Sequence, residues 1–294
     1  LSYLVGSYVA HAWGWRTAFF VAGIPGLLAA VAVRFIDEPG RGTKEIVAAA
    51  THSSEPSSWW KLLTIKTLWW LILSGALHNF NMYALGSFLA PLLMRYHGAD
   101  LRGAGLMTTM IYGLSGIPGL LVGGALADRW STKRRDGRLL VAAFATLLSA
   151  PFMLLALLRP AHDLVLFVFF GVLGCMVMYV YYASVYATLQ DIVAPSLRGT
   201  AMALYFFAMY VLGASFGPLG TGMASDHFTR KAATAAGLAG VTGKALEPFR
   251  GVGLHSAMYL IPALSVALAV VLFLAARTVG EDMDRMQASM KEAR

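Results

Sequence analysis

Seven stretches of this chain are long, apolar and almost free of charge: residues 17–34, 67–94, 104–127, 139–158, 164–190, 199–224 and 256–276. About 20 apolar residues are needed for a helix to cross a bilayer core of roughly 30 Å. Inside the seven runs the one Asp, Glu, Lys or Arg is Arg34, at an end. Lipid demands this, because a charge at the bilayer centre costs a few kcal/mol even on the gentlest scale. Charged residues make up 13% of the chain, about half the usual share of a soluble globule, so an ordinary water-soluble domain is excluded. The fold class read from this pattern is an all-α membrane protein.

The chain opens directly on apolar sequence at Leu1, with no charged n-region and no small-residue cleavage site. Residues 1–12 therefore read as the tail of an eighth span, entered partway. Pro25, Pro91, Pro118, Pro151, Pro218 and Pro262 fall within the spans. Neighbouring helices in a membrane can re-satisfy the carbonyls that proline frees, so kinked helices are expected. Cys175, in an apolar run, reads as a buried inert thiol.

Orientation follows from the loop cations. Of the 23 Lys and Arg, 15 fall in 34–66, 128–138, 191–198 and 277–294, and 8 in the alternate loops 13–16, 95–102, 159–163 and 225–255. The first set is expected on the cytoplasmic side of a plasma or inner membrane, with the C-terminus. Scattering over loops removes nucleic acid as the reason for the net charge of +8. Residues 37–66 form a Ser-, Pro- and Gly-rich linker, and Trp59, Trp60, Trp69 and Trp70 flank the next span as interfacial aromatics do. The division expected is 1–36, then the linker 37–66, a six-helix unit 67–276, and a tail 277–294. With Met283, Met286 and Met290 at i, i+3, i+7, that tail reads as an amphipathic surface helix or a frayed end.

Between the second and third spans after the linker stands Gly124-Ala125-Leu126-Ala127-Asp128-Arg129-Trp130-Ser131-Thr132-Lys133-Arg134-Arg135. This resembles the G-x-L-A-D-R-x-x-x-K/R-R signature of the major facilitator superfamily, in its second copy at the loop between helices 8 and 9. Gly14-Trp15-Arg16 looks like the turn into that family's helix 6. Arg198-Gly199-Thr200, followed by Gly213 and Gly217-Pro218, looks like its helix 11. Together with Ala276-Arg277-Thr278 these stretches are similar to the spinster-like branch. The resemblance implies the end of helix 5, helix 6, the central loop and helices 7–12. Antiporters of the superfamily often carry G-P-x-x-G-G before the G-W-R turn; Ser2–Ser7 keeps only Gly6, a departure from that pattern.

The resemblance implies a gating motif of Gly124, Asp128, Arg129, Lys133, Arg134 and Arg135. In it Asp128 would face the positive N-terminus of a helix in the other bundle while the cytoplasmic side is closed; otherwise it is a solvated loop charge. Gly116, Gly119 and Gly123, at i, i+3, i+7, and Gly213 with Gly217, at i, i+4, read as close helix-packing positions. Near the expected midplane lie His78, Asn79, Asn81 and Tyr83. An imidazole there suits proton traffic or a hydrogen bond to a neighbouring helix, and the two amides suit a solute or an unwound turn. Tyr179, Tyr182 and Tyr210, with Phe206 and Tyr112, are cavity-lining candidates or core packing, and Tyr186 reads as an interfacial ring.

No phosphate-binding loop, no H-E-x-x-H and no clustered histidines occur, so no enzyme, cofactor or metal site is expected. The function expected is secondary active transport of a small organic or amphipathic, lipid-like solute by alternating access with proton coupling. Its partners would be the lipid bilayer and an N-terminal bundle of the same chain. A seven-helix receptor or sensor, and an inactive fragment, are the alternatives.

Overall fold

The computed structural model describes residues 2–35, 59–238 and 240–292, and it is helical throughout apart from short connections. Most of the expected linker, 37–58, and the side chain of Met290 lie outside the described residues.

Helices α1 (Ser2–Trp13) and α2 (Trp15–Val33) form a hairpin turned at Gly14, whose φ of 83° favours glycine. A short 3₁₀ turn (Trp59–Thr64) leads into α3 (Lys66–Arg95). Then come α4 (Leu101–Ser131), α5 (Gly137–Leu157), α6 (Leu164–Asp191) and α7 (Pro195–Ala235), and last α8 (Glu247–Met258) and α9 (Leu260–Glu292), joined at Tyr259. α5 packs along α6 and α9, α4 along α6, and α3 along α9 and α7, so α3 to α9 make one bundle. The hairpin touches it where α1 meets the start of α4, with the Arg102 guanidinium 5.7 Å from the Tyr8 ring; α2 buries no residue.

Among the described residues, six helical stretches are long and apolar enough to cross a membrane by length and composition. α3, a 30-residue helix, is the expected span that this group leaves out. His78, Asn79 and Asn81 interrupt its apolar run, and all three are buried against neighbouring helices. The tail is helical to Glu292 rather than frayed. α9 carries on through it, and the nearly buried Asp282 carboxylate accepts the Thr67 backbone N–H at 2.8 Å, while Thr67 and Thr278 share a hydroxyl contact of 2.7 Å. A carboxylate at a helix N-terminus satisfies an orphan donor and meets the positive end of the dipole. The residues 225–255, read as a loop, are largely the end of α7 and all of the way into α8.

Prolines 25, 91 and 151 sit inside unbroken helices. Pro118 and Pro218 behave differently, each following a wide π turn: Thr109–Leu114 in α4 and Met209–Ala214 in α7. There the N–H of Ser115 reaches Met110 O at 3.3 Å and that of Ser215 reaches Tyr210 O at 3.1 Å, five residues back. Proline offers no N–H to the carbonyl four residues before it, and the bulge is one way a helix accommodates the loss.

Close approach of backbones holds the bundle. A Cβ added at Gly119 would overlap the Met176 carbonyl, and one at Gly123 would lie 2.7 Å from Val180 Cα. At Gly213 and Gly217 it would lie 2.5 Å from the carbonyl oxygens of Ala76 and Phe80. Gly119→Ala is expected to destabilise the bundle by about 1–3 kcal/mol, the usual cost of overpacking, read as a lower Tm in detergent. Gly280→Ala, where a Cβ meets nothing within 4 Å, should leave Tm unchanged or raised.

At the opposite end from Asp282, His97 Nδ1 donates to Ala161 O at 2.8 Å, and its ring lies 4.4 Å from Phe167. Burial holds this imidazole below its ordinary value of 6.5, outweighing the hydrogen bond that pulls it up. The unfolded chain therefore binds the proton first, so stability is full above about 6.5 and falls as pH drops toward the folded value. His97→Gln should flatten that part of a Tm-against-pH curve.

Candidate functional site

Seven aromatic rings from four helices run edge to edge across one face of the bundle. Tyr112 of α4 lies 6.5 Å from Tyr179 of α6, which lies 6.0 Å from Tyr182 one turn on. Tyr182 meets Tyr186 at 5.6 Å, Tyr186 meets Phe206 of α7 at 5.4 Å, and Phe206 meets Tyr210 at 6.4 Å. Tyr210 closes on Tyr83 of α3 at 6.1 Å, edge to face. Spacings of this kind suit the ring quadrupole. Tyr83 and Tyr210 are 38% and 49% exposed and the others half-buried, so the ribbon is a surface as well as a packing layer. Both π turns open onto it, since Tyr112 belongs to one and Tyr210 to the other.

A buried polar layer stands behind the ribbon. The His78 ring stacks on Tyr181 at 4.0 Å and meets the edge of Tyr182 at 4.7 Å. Tyr181 OH is 2.8 Å from Ser74 Oγ and 2.9 Å from Tyr205 OH, forming a chain of three fully buried hydroxyls. Asn79 Oδ1 accepts from Tyr182 OH at 3.4 Å. Neither His78 nitrogen, nor Asn79 Nδ2, has a hydrogen-bond partner among the described residues. Such buried capacity is rare enough to need a reason.

The candidates read from the sequence thus divide. Tyr83, Tyr112, Tyr179, Tyr182, Phe206 and Tyr210 come together on the ribbon, with Asn79 just behind it. His78 is fully buried one layer deeper. Asn81 turns away, its Nδ2 donating to Ile261 O and Ser265 Oγ of α9 at 3.2 Å each, so it ties helices together. Tyr186 links α6 to α7, its ring 5.9 Å from Tyr205 and 5.4 Å from Phe206. The sequence reading missed Tyr181, Tyr205 and Ser74; their one signal was a Tyr-Tyr pair at 181–182, which alternation along a helix cannot assign to faces by itself.

The basic turn has its own geometry. Asp128 lies in the last turn of α4, 75% exposed, 3.4 Å from the Arg138 guanidinium. Arg138 also pairs with Asp191 at the end of α6, Arg134 binds Asp136 through two 2.9 Å bonds, and Arg135 pairs with Asp284 of α9. Among the described residues no ion pair involves Arg129 or Lys133, both exposed. Gly124 has only Ala183 Cβ near it, at 4.0 Å. The loop is thereby stitched to α5, α6 and α9, three elements far apart in sequence.

Residues 1–218 match the family model of the Major Facilitator Superfamily. An MFS-type efflux pump of Mycolicibacterium smegmatis is 31% identical over 230 residues, which is 78% of this chain and 52% of that protein. The human protein spinster homolog 3 is 28% identical over 244 residues, 77% of this chain and 48% of the relative. A bacterial homolog to the human lysosomal transporter spinster, solved in an inward-facing and occupied conformation, superposes with a TM-score of 0.71 at 25% identity, over 92% of this chain and 59% of that one. The chain thus spans about half the length of the curated relatives it matches.

Tyr181→Phe should cost about 1–3 kcal/mol, because it leaves the Tyr205 hydroxyl buried without its bond. Tyr181→Phe combined with Tyr205→Phe should recover part of that loss, since removing both partners is cheaper than orphaning one. Thermal unfolding of the purified variants reads both effects.

Proposed function

The chain belongs to the major facilitator superfamily, and from that premise we propose that it supplies the solute-facing C-terminal half of a secondary transporter for a small organic or amphipathic solute. The observation that carries this reading is the seven-ring ribbon on α3, α4, α6 and α7, backed by unused hydrogen-bonding groups at His78 and Asn79. Aromatic faces with hydroxyl tips take an apolar body and a polar end together. Similarity to an efflux pump and to a bacterial homolog of a lysosomal transporter supports transport as the activity.

In this reading α1 and α2 belong to an N-terminal bundle, residues 37–66 are the cytoplasmic connector, and α3–α9 form the second bundle. The two bundles rock about the ribbon, with the π turns as the places where α4 and α7 bend. Asp128 serves as a latch. Its exposure and its weak 3.4 Å contact with Arg138 leave the carboxylate available to a helix N-terminus of the opposing bundle. Protons are the proposed driving ion.

The test is flux in proteoliposomes made from the full-length protein, with and without an imposed proton gradient. Tyr182→Ala and Tyr210→Ala should raise the KM for an amphipathic solute several-fold, whereas Asp128→Asn should lower the turnover and leave membrane insertion intact. Flux indifferent to the gradient would remove proton coupling. Unchanged kinetics in the tyrosine variants would remove the ribbon as the solute path.

A further inference from the structure

On the outer face of the bundle, away from the ribbon, α4, α5 and α6 enclose an apolar groove of about 430 Å³. Its origin is local. Gly119 and Gly123 carry no side chain, so α4 sinks onto α6 and leaves a channel along their seam. Gly119, Val122, Leu126 and Trp130 of α4 line one wall, and Phe144 and Leu148 of α5 the other. Val122, Phe144 and Leu148 are each about half exposed. The surroundings of this face are therefore hydrocarbon.

Two measurements define what fits. From Gly119 to Trp130 is 11 residues, or roughly 16 Å of helix, which is about half of a ~30 Å hydrocarbon core. The groove thus has the length of one leaflet. With α4 crossing the membrane, it would run from the bilayer interior to Trp130, next to the basic turn, where interfacial rings are expected. The charge at its mouth is just as specific. Lys133 stands in the turn just past the end of α4, three residues beyond Trp130, its N–H bonded to Trp130 O at 3.1 Å. Carboxylates occupy Arg134, Arg135 and Arg138, but among the described residues none pairs with Lys133 or Arg129.

We propose that this groove is a binding site for an anionic phospholipid of the leaflet on the side of the basic turn: one acyl chain lies along the α4–α5–α6 seam and the phosphate headgroup meets Lys133, with Arg129 beside it. The site is separate from the solute ribbon, and it depends on α4–α6 crossing the membrane but not on transport.

The chain is reconstituted in phosphatidylcholine liposomes with a minor fraction of brominated-chain phosphatidylglycerol or, in a parallel sample, brominated-chain phosphatidylcholine. Bromine quenches tryptophan at contact, and the difference between wild type and Trp130→Phe isolates the signal of Trp130. The expected result is about fivefold stronger apparent binding of the anionic lipid, the factor that one cation near an anionic lipid surface supplies. That preference should vanish in Arg129→Gln/Lys133→Gln and shrink in high salt. Ala145 of α5 also lines the groove, and Ala145→Phe, which fills it without removing a charge, should reduce quenching by both lipids. Equal quenching by the two lipids would overturn the proposal, as would a preference that survives charge removal. A Trp130 shielded from both lipids, as a second copy of the chain seated on this face would leave it, would overturn it too.

Discussion

A backbone in hydrocarbon has no water to turn to, so each N–H and C=O must find its partner inside the protein. Almost every feature of this chain is an answer to that demand. It explains why the structure is helical, and why Ser74, His78, Asn79 and Asn81, in the middle of the long helix α3, are buried against neighbouring helices. Asn81 is bonded to α9, and Ser74 joins Tyr181 and Tyr205 in a closed run of hydroxyls. The lack of a hydrophobic force between helices in lipid completes the picture. Glycines let backbones touch where oily side chains would gain nothing, and Gly119, Gly123, Gly213 and Gly217 lie at those crossings.

The departures from regular helix mark where function is expected. Ser115-Gly116-Ile117-Pro118 and Ser215-Phe216-Gly217-Pro218 share the pattern S-x-x-P, and each follows a π turn. A π turn rotates the residues beside it relative to an unbroken α-helix and loosens the ladder. Tyr112 and Tyr210 sit in those two turns, so the bulges help aim rings at the shared face. The same glycines that permit close packing on the α4–α6 seam also leave an outer channel, so one sequence choice shapes both faces of α4.

Charge is confined to the ends and used as mortar there. The Asp282 carboxylate of α9 holds that helix to the start of α3, and Arg135 with Asp284 holds it to the basic turn. An exposed pair such as Arg135–Asp284 contributes little by itself, but with the buried Asp282–Thr67 bond it ties α9 to α3 and to the α4–α5 turn at one end of the bundle. Arg129 and Lys133, with no ion pair among the described residues, and Asp128, with its single 3.4 Å contact to Arg138, keep capacity for a further partner.

The amino-acid order alone determined the solvent of this protein, since an uncharged run of 20 residues has no stable home in water. It also determined where the apolar spans lie and, through the Asp128 motif, pointed to the family. Periodicity carries that information because burial in lipid needs composition and length, both local properties. Which rings share a face was another matter. Tyr181 and Tyr182 are neighbours in sequence, yet one is sealed in the core and the other lies on the ribbon, because adjacent residues on a helix diverge by about 100° and only packing sets the zero of that angle. The extension of α9 to its Asp282 contact, the union of Tyr186 with Phe206, and the outer groove were likewise decided by tertiary structure, since each depends on contacts between residues tens to hundreds of positions apart.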